Sequence, residues 1–235
     1  EVAGDLSGCG FGGFADFALA TEKTLVKKPA GISFEAAAAL PMASMTSLQA
    51  LRNKGNIREG QEVLILGSSG GVGTVTIQLA KHLGGVVTAV CSTRNIEQSR
   101  LLGADHVLDY TREDFAAENR KYDLIVAVNG NYSMLKCRKA LKPDGKYVMV
   151  GGALSQIFKA IVIGKPLSLG RKKMLFLAAR TNTTDLAYLL NLASDGIIKP
   201  VIEKYFSPET TAEAMKYAAG GHARGKVVIK WNPEA

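Results

Sequence analysis

Residues 62–84 read Glu62-Val-Leu-Ile-Leu-Gly-Ser-Ser-Gly-Gly-Val-Gly73 followed by TVTIQLAKHLG. An apolar run of this length, bounded by a glycine turn, is a buried parallel strand. The apolar spacing after the turn is that of an amphipathic helix, and a second apolar run, Val86 to Cys91, follows it. A glycine pattern framed by strand, helix and strand is the signature of a dinucleotide phosphate site. Gly70 lets the backbone approach a pyrophosphate, and Gly73 lets the helix pack closely on the strand. The turn and helix start, Ser69-Gly70-Gly71-Val72-Gly73, present free N–H groups and the positive end of the helix dipole to that anion. The pattern departs from G-x-G-x-x-G at its first position, where Ser68 stands.

The end of the second strand reports which dinucleotide. An NAD site places an acid roughly 20 residues past the glycines to take the ribose 2′-hydroxyl. Here that place holds Cys91-Ser92-Thr93-Arg94-Asn95, and the nearest acid, Glu97, lies in the following helix. Hydroxyls and a guanidinium suit a 2′-phosphate, which a carboxylate repels. Ser92, Thr93 and Arg94 therefore predict NADPH. Without a ligand, the same residues read as a helix N-cap and a solvated charge.

Composition sets the outer limits. The chain has 235 residues, 47% of them hydrophobic, and a formal charge of +8. It can bury one large core or two modest ones. No apolar run approaches the ~20 residues of a membrane span, and the N-terminal residues are not those of a signal peptide, so a cytoplasmic protein is expected. Cys9, Cys91 and Cys137 are scattered without a C-x-x-C pair, which argues against a disulfide framework or zinc knuckle. The basic runs at 136–139 and 171–173 lack interleaved aromatics and read as solvated faces rather than a nucleic-acid surface.

Strands expected at 62–67, 86–91, 106–110, 122–129, 146–151 and 173–179 alternate with helices, including one at 113–119. Together they predict an α/β fold with a doubly wound parallel sheet. Outside this region, GFADFALA at 13–20 alternates as a half-exposed strand does, and GKVVIKW near the C-terminus is expected to pair with it. The predicted domains are 46–199, binding the dinucleotide, and a β-rich unit built from both ends, 1–45 and 200–235.

In order, GSSGGVGTVTIQLAK, VCSTRN, LGADHVLDY, LKPDGKYVMVGG, D-x-x-x-L-x-x-L at 185–192, IIKPVIEKYF and GHARGKVVI span the chain. They resemble the zinc-independent quinone oxidoreductase-like branch of the medium-chain dehydrogenases/reductases. That resemblance implies a Rossmann domain plus part of a GroES-like catalytic domain, with hydride transfer from NADPH to a quinone or α,β-unsaturated carbonyl. It places Thr46, Tyr110, Asn129-Gly130 and Gly151-Gly152 near the cofactor. It also implies that the chain starts about a third of the way along a family member, without much of the substrate domain. An NADPH-binding protein with little turnover is the alternative. A methyltransferase reading of YDLIVAVN…ALKPDGKYVMV is opposed by the basic end of the second strand.

His82, His106 and His222 are too dispersed for a metal, and no side chain is assigned as the catalytic acid. Tyr132 and Ser133 are candidate proton donors that read more simply as a surface helix start. The apolar strand KMLFLAA (Lys173 to Ala179) lies at the sheet edge, where pairing with a second copy predicts a homodimer.

Overall fold

The computed structural model describes residues 1–117, 120–128, 132–151, 164, 166–168, 170–221 and 223–231. Two short strands, β1 (Val2–Gly4) and β2 (Leu25–Lys27), are followed by helices α1 (Phe34–Ala39) and α2 (Pro41–Leu48). Ser33 caps α1 by accepting from the Ala36 N–H, and α2 continues as a π-helical segment, Gln49–Gly55, ending in left-handed Asn56. Strand β3 (Glu62–Leu66), helix α3 (Gly71–His82), β4 (Val86–Cys91), α4 (Ile96–Leu101) and β5 (His106–Asp109) come next. The sheet is completed by β6 (Tyr122–Val128), α5 (Met134–Ala140), β7 (Leu141–Val150) and β8 (Lys173–Leu177).

These six strands form one sheet in the order β5-β4-β3-β6-β7-β8, and every pair is parallel. This is the doubly wound Rossmann arrangement. The strand order reverses between β3 and β6, opening a crevice at the carboxyl ends of the two strands. Val63, Leu64, Ile65 and Leu66 are all fully buried, as strands covered on both faces must be, so the apolar run is continuous rather than alternating.

Contacts divide the chain into two compact units, Thr46–Ala179 and Glu1–Met45 with Arg180–Ala235. Helix α6 (Thr183–Ser194) belongs to the second of these, whereas the sequence grouping kept it with the sheet. It packs on β2 and buries Leu186, Leu189 and Leu190. A Cβ at Gly31 would lie 2.7 Å from the Ser194 hydroxyl, so the two segments meet at a glycine.

Three local expectations are corrected. Residues 13–20 form no strand, and Phe17 and Leu19 stand 93% and 85% exposed, with no sheet face to cover them. The C-terminal strand β10 (Lys226–Ile229) pairs instead in parallel with β9 (Ile202–Phe206), and β1 pairs antiparallel with β2. Gly225, at φ +131, brings the chain against Val201, whose carbonyl would be 2.3 Å from a Cβ there. Among the described residues, a side chain of the tail reaches the 13–20 segment, Trp231 Nε1 donating to Asp16 (2.6 Å). Residues 113–117 form no helix, only a turn at 115–117, and residues 118–119 of the expected helix lie outside the described residues. The Asp114 carboxylate takes the Ala116 N–H (3.0 Å), a local bond that competes with helix formation.

Helix α7 (Thr211–Ala219) completes the described elements. No helix among the described residues is long and apolar enough to cross a membrane.

Glu35 on α1 and Lys230 beyond β10 pair at 2.8 Å, and the hydrogen bond from Lys230 draws the Glu35 carboxyl down to about 2. A carboxyl lowered on folding stabilises the fold above its ordinary value of 4.5 and loses that contribution as pH falls toward 2. Urea unfolding should therefore show wild type more stable than Lys230→Met at pH 5, with the gap shrinking as pH falls below 4.5 and closing only near pH 2. A gap that is constant with pH would contradict this.

Candidate functional site

The site lies at the carboxyl edge of the sheet, where β3 turns into α3. Gly67 sits at φ +79, and a Cβ on it would lie 2.4 Å from the Val128 carbonyl oxygen at the end of β6. Only glycine meets both constraints. Gly67 therefore makes the tight turn, and the working pattern is Gly67-x-x-Gly70-x-x-Gly73. The sequence reading looked for that first glycine one position later. The available signal was a glycine directly after the apolar run.

Ser68 has a structural task of its own. Its N–H and its hydroxyl both donate to the Val90 carbonyl (3.1 and 3.0 Å), fastening the turn to the end of β4. Gly73 is where α3 presses on the turn: a Cβ there would be 2.3 Å from the Gly67 oxygen and 2.7 Å from the Ser68 backbone.

Gly70 differs from both. Its φ is −82, an ordinary value, and among the described residues nothing stands within 4 Å of the place a Cβ would occupy. The protein leaves that space open in front of the N-terminus of a 12-residue helix whose N-cap makes no side-chain bond. Backbone N–H groups at such an end are anion donors. Open space before such an end leaves room for an anion, and Ser69, Gly71 and Val72 adjoin it in the chain. Helix α2 braces that end, since the Ser47 hydroxyl donates to the Val72 carbonyl (3.1 Å) and lies 2.9 Å from the Thr76 hydroxyl. Thr46 sits beside Ser47, buried. Ser47 was not among the residues singled out from sequence.

A cleft of about 690 Å³ opens over the turn, lined by Gly67, Ser69, Tyr110, Phe115, Val128 and Tyr132 among others. Its size is that of a small-molecule site. Tyr110, just past β5, is 56% exposed. Tyr132 is half-buried, edge-on to Phe115 with ring centroids 6.1 Å apart, and burial pushes its phenol up to about 12, so it stays protonated at neutral pH. It is therefore part of the cleft wall rather than a surface helix start. Ser133 does start a helix, accepting from the Lys136 N–H at the head of α5 (3.4 Å), and it is exposed.

At the end of β4, Ser92 begins a single 3-10 turn, Thr93–Asn95. The side chain of Thr93 is turned to the neighbouring strand: its hydroxyl donates to the Asp109 carboxylate (2.5 Å). Ser92 Oγ accepts from the Asn95 amide (3.1 Å), and Arg94 is exposed. Gly151 follows β7 at φ +70, on the same edge of the sheet. Asn129, Gly130 and Gly152 lie outside the described residues. Among the described residues, no three His, Cys, Asp or Glu side chains come together as a metal set.

The family model for zinc-binding dehydrogenases matches residues 102–229. A chloroplast envelope quinone oxidoreductase homolog from Arabidopsis thaliana is 34% identical over 98% of this chain and 72% of its own length. An NADPH-dependent alkenal/one oxidoreductase of the chloroplast, from the same plant, is 34% identical over 93% of this chain and 53% of its own length. Among solved structures, the quinone oxidoreductase from Coxiella burnetii superposes with a TM-score of 0.81 at 31% identity, over 91% of this chain and 66% of that one. This chain thus spans between about half and three-quarters of the length of the relatives it matches.

Two glycine substitutions separate the open position from the packing contact. Gly70→Val should fold normally and lose dinucleotide binding. Gly73→Val should lose stability, by about 1–3 kcal/mol or more for an overpacked contact. Denaturant unfolding and cofactor titration on both variants check this. Unchanged binding in Gly70→Val would put the phosphates elsewhere.

Proposed function

We propose a function from one premise: the chain belongs to the medium-chain dehydrogenases/reductases, among quinone oxidoreductases and enone reductases. On this reading it is an oxidoreductase that takes NADPH and reduces a quinone or an α,β-unsaturated carbonyl. The observation that carries the cofactor is the open space at Gly70, in front of a helix end without a side-chain cap, at the reversal point of a parallel sheet. Such a site suits an anion, and the pyrophosphate of a dinucleotide is one.

The residues then divide the work along one edge. The helix start at Ser69-Gly70-Gly71-Val72-Gly73 holds the pyrophosphate, and the turn after β4 with Arg94 holds the 2′-phosphate. Tyr110 packs against the adenosine at the cleft mouth. Thr46, Asn129, Gly130, Gly151 and Gly152 are assigned to the nicotinamide half. When bound, the cofactor supplies the hydride, and the protein supplies orientation and shelter from water. A quinone or enone acceptor needs a polarised carbonyl and one proton. The name of the alkenal/one oxidoreductase among the relatives supports NADPH as the donor.

The sheet edge supports a homodimer on the same reading. Strand β8 is one of the two edge strands of the sheet, with β5 at the other side, and Leu175 and Phe176 on it are only partly buried. Pairing with a second β8 across a two-fold axis would cover that ladder.

Two measurements test the proposal. Arg94→Ala should weaken NADPH by ~1–3 kcal/mol while NADH changes little, and wild type should oxidise NADPH in the presence of a quinone or an enone. Equal loss for both cofactors would remove Arg94 from the 2′-phosphate. Light scattering should give twice the chain mass of 25.0 kDa, and a monomer would overturn the β8 pairing.

A further inference from the structure

The turn that reads the adenosine ribose is held by a carboxylate on the next strand. Asp109 is the last residue of β5 and lies opposite Cys91, the last residue of β4. It is 3% exposed, and both of its oxygens are engaged. Thr93 Oγ1 donates to Oδ2 (2.5 Å), and Thr111 donates to Oδ1 through its hydroxyl (2.8 Å) and its N–H (3.0 Å). Arg112 Nε stands 3.8 Å from Oδ2. The Thr93 hydrogen bond, ahead of the others, holds the Asp109 carboxyl below its ordinary value, so the group is a carboxylate at neutral pH.

This arrangement has two consequences for the anion site. A hydroxyl has one proton to give. While Thr93 spends it on Asp109, Thr93 has only lone pairs to offer a ligand, and lone pairs do not bind a phosphate. Ser92 is placed differently: its Oγ accepts from Asn95 Nδ2, and its own proton takes no part in that bond. The negative charge of Asp109 is also closed off beside the site by hydroxyl, amide and guanidinium donors, so it is not presented to an approaching phosphate.

We infer that Thr93 and Asp109 form a latch across the ends of β4 and β5 that sets the preference for NADPH. In this arrangement Thr93 is a positioning residue, and Ser92 and Arg94 are the groups that meet the 2′-phosphate. The latch fixes the turn at 92–95, which Asn95 closes by donating its N–H to the Ser92 carbonyl (2.9 Å) and burying its side chain. With the latch open, the turn loses its set, and Ser92 and Arg94 are no longer held where a 2′-phosphate would meet them. An unphosphorylated ribose offers those two groups no phosphate to hold, so NADH depends on the set of the turn far less. The inference rests on the NADPH reading above.

The test is the dissociation constant of NADPH and of NADH, measured by titration on wild type, Thr93→Val, Thr93→Ser, Asp109→Ala and the Thr93→Val/Asp109→Ala double variant. Thr93→Val and Asp109→Ala should each weaken NADPH about ten-fold, the scale of one charge-assisted hydrogen bond, with NADH within about two-fold. The double variant should be no worse than either single, because both open the same latch. Thr93→Ser keeps the donor and should bind NADPH as wild type does. If Asp109→Ala does not fold, Thr93→Val, which leaves Asp109 in place, carries the test, with Thr93→Ser as its control. The inference is overturned if Thr93→Val binds NADPH as wild type does, or if a folded Asp109→Ala does while Thr93→Val does not, since Thr93 then acts directly. It is also overturned if the loss falls equally on NADH. A wild-type chain with no preference between the two cofactors would overturn the NADPH reading itself, and the latch with it.

Discussion

Helix α3 packs as closely as it does because two hydrogens, at Gly67 and Gly73, stand where two side chains would. At Gly73, α3 comes down onto the Gly67 oxygen, 2.3 Å from where a Cβ would be, and at Gly67 the chain passes equally close to the end of β6. Everything at the carboxyl edge follows from this double close approach. It aims the start of α3 at the crevice between β3 and β6, and the open position at Gly70 lies in front of it. A larger residue at 67 or 73 would tilt the helix and move its N–H groups away from the line on which an anion arrives.

The chemistry at that edge is graded rather than concentrated. The end of α3 offers backbone donors and a partial positive charge, and the turn after β4 offers a hydroxyl and a guanidinium. Further round, the walls become aromatic, with Tyr110, Phe115 and a Tyr132 phenol that burial keeps protonated. An extended ligand with a charged middle and flat ends fits such a gradient better than a compact one does. The carboxylate of Asp109 sits inside this positive stretch yet is sealed by its own donors, which is how an acid can stand beside an anion site without opposing it.

The sheet was legible in the sequence because strands buried on both faces write themselves as unbroken apolar runs, and Val63–Leu66 is such a run. The parallel order followed from the alternation with helices. What was not legible came from contacts between segments distant in the chain. Asp109 lies 16 residues past Thr93 and meets it only through the register of β4 on β5, so a search for an acid at the end of β4 could not see it. Gly67 was passed over because the pattern was aligned on Ser68, whose hydroxyl bonds to Val90 are likewise a matter of neighbouring strands. At the chain ends the period-2 signal of 13–20 misled: alternation is necessary for a half-buried strand, but a partner is what makes one, and β10 had a nearer partner in β9.

The central claim is that dinucleotide phosphates rest on the start of α3 and are read by the turn after β4. Amide proton–nitrogen correlation spectra recorded while NADPH is added test it at single-residue resolution. The account predicts that the N–H signals of Gly70 to Thr74 and of Ser92 to Asn95 move first and furthest. It also predicts that the second group moves much less with NADH. Shifts confined to other parts of the chain, or an α3 start that does not respond to either cofactor, would contradict it.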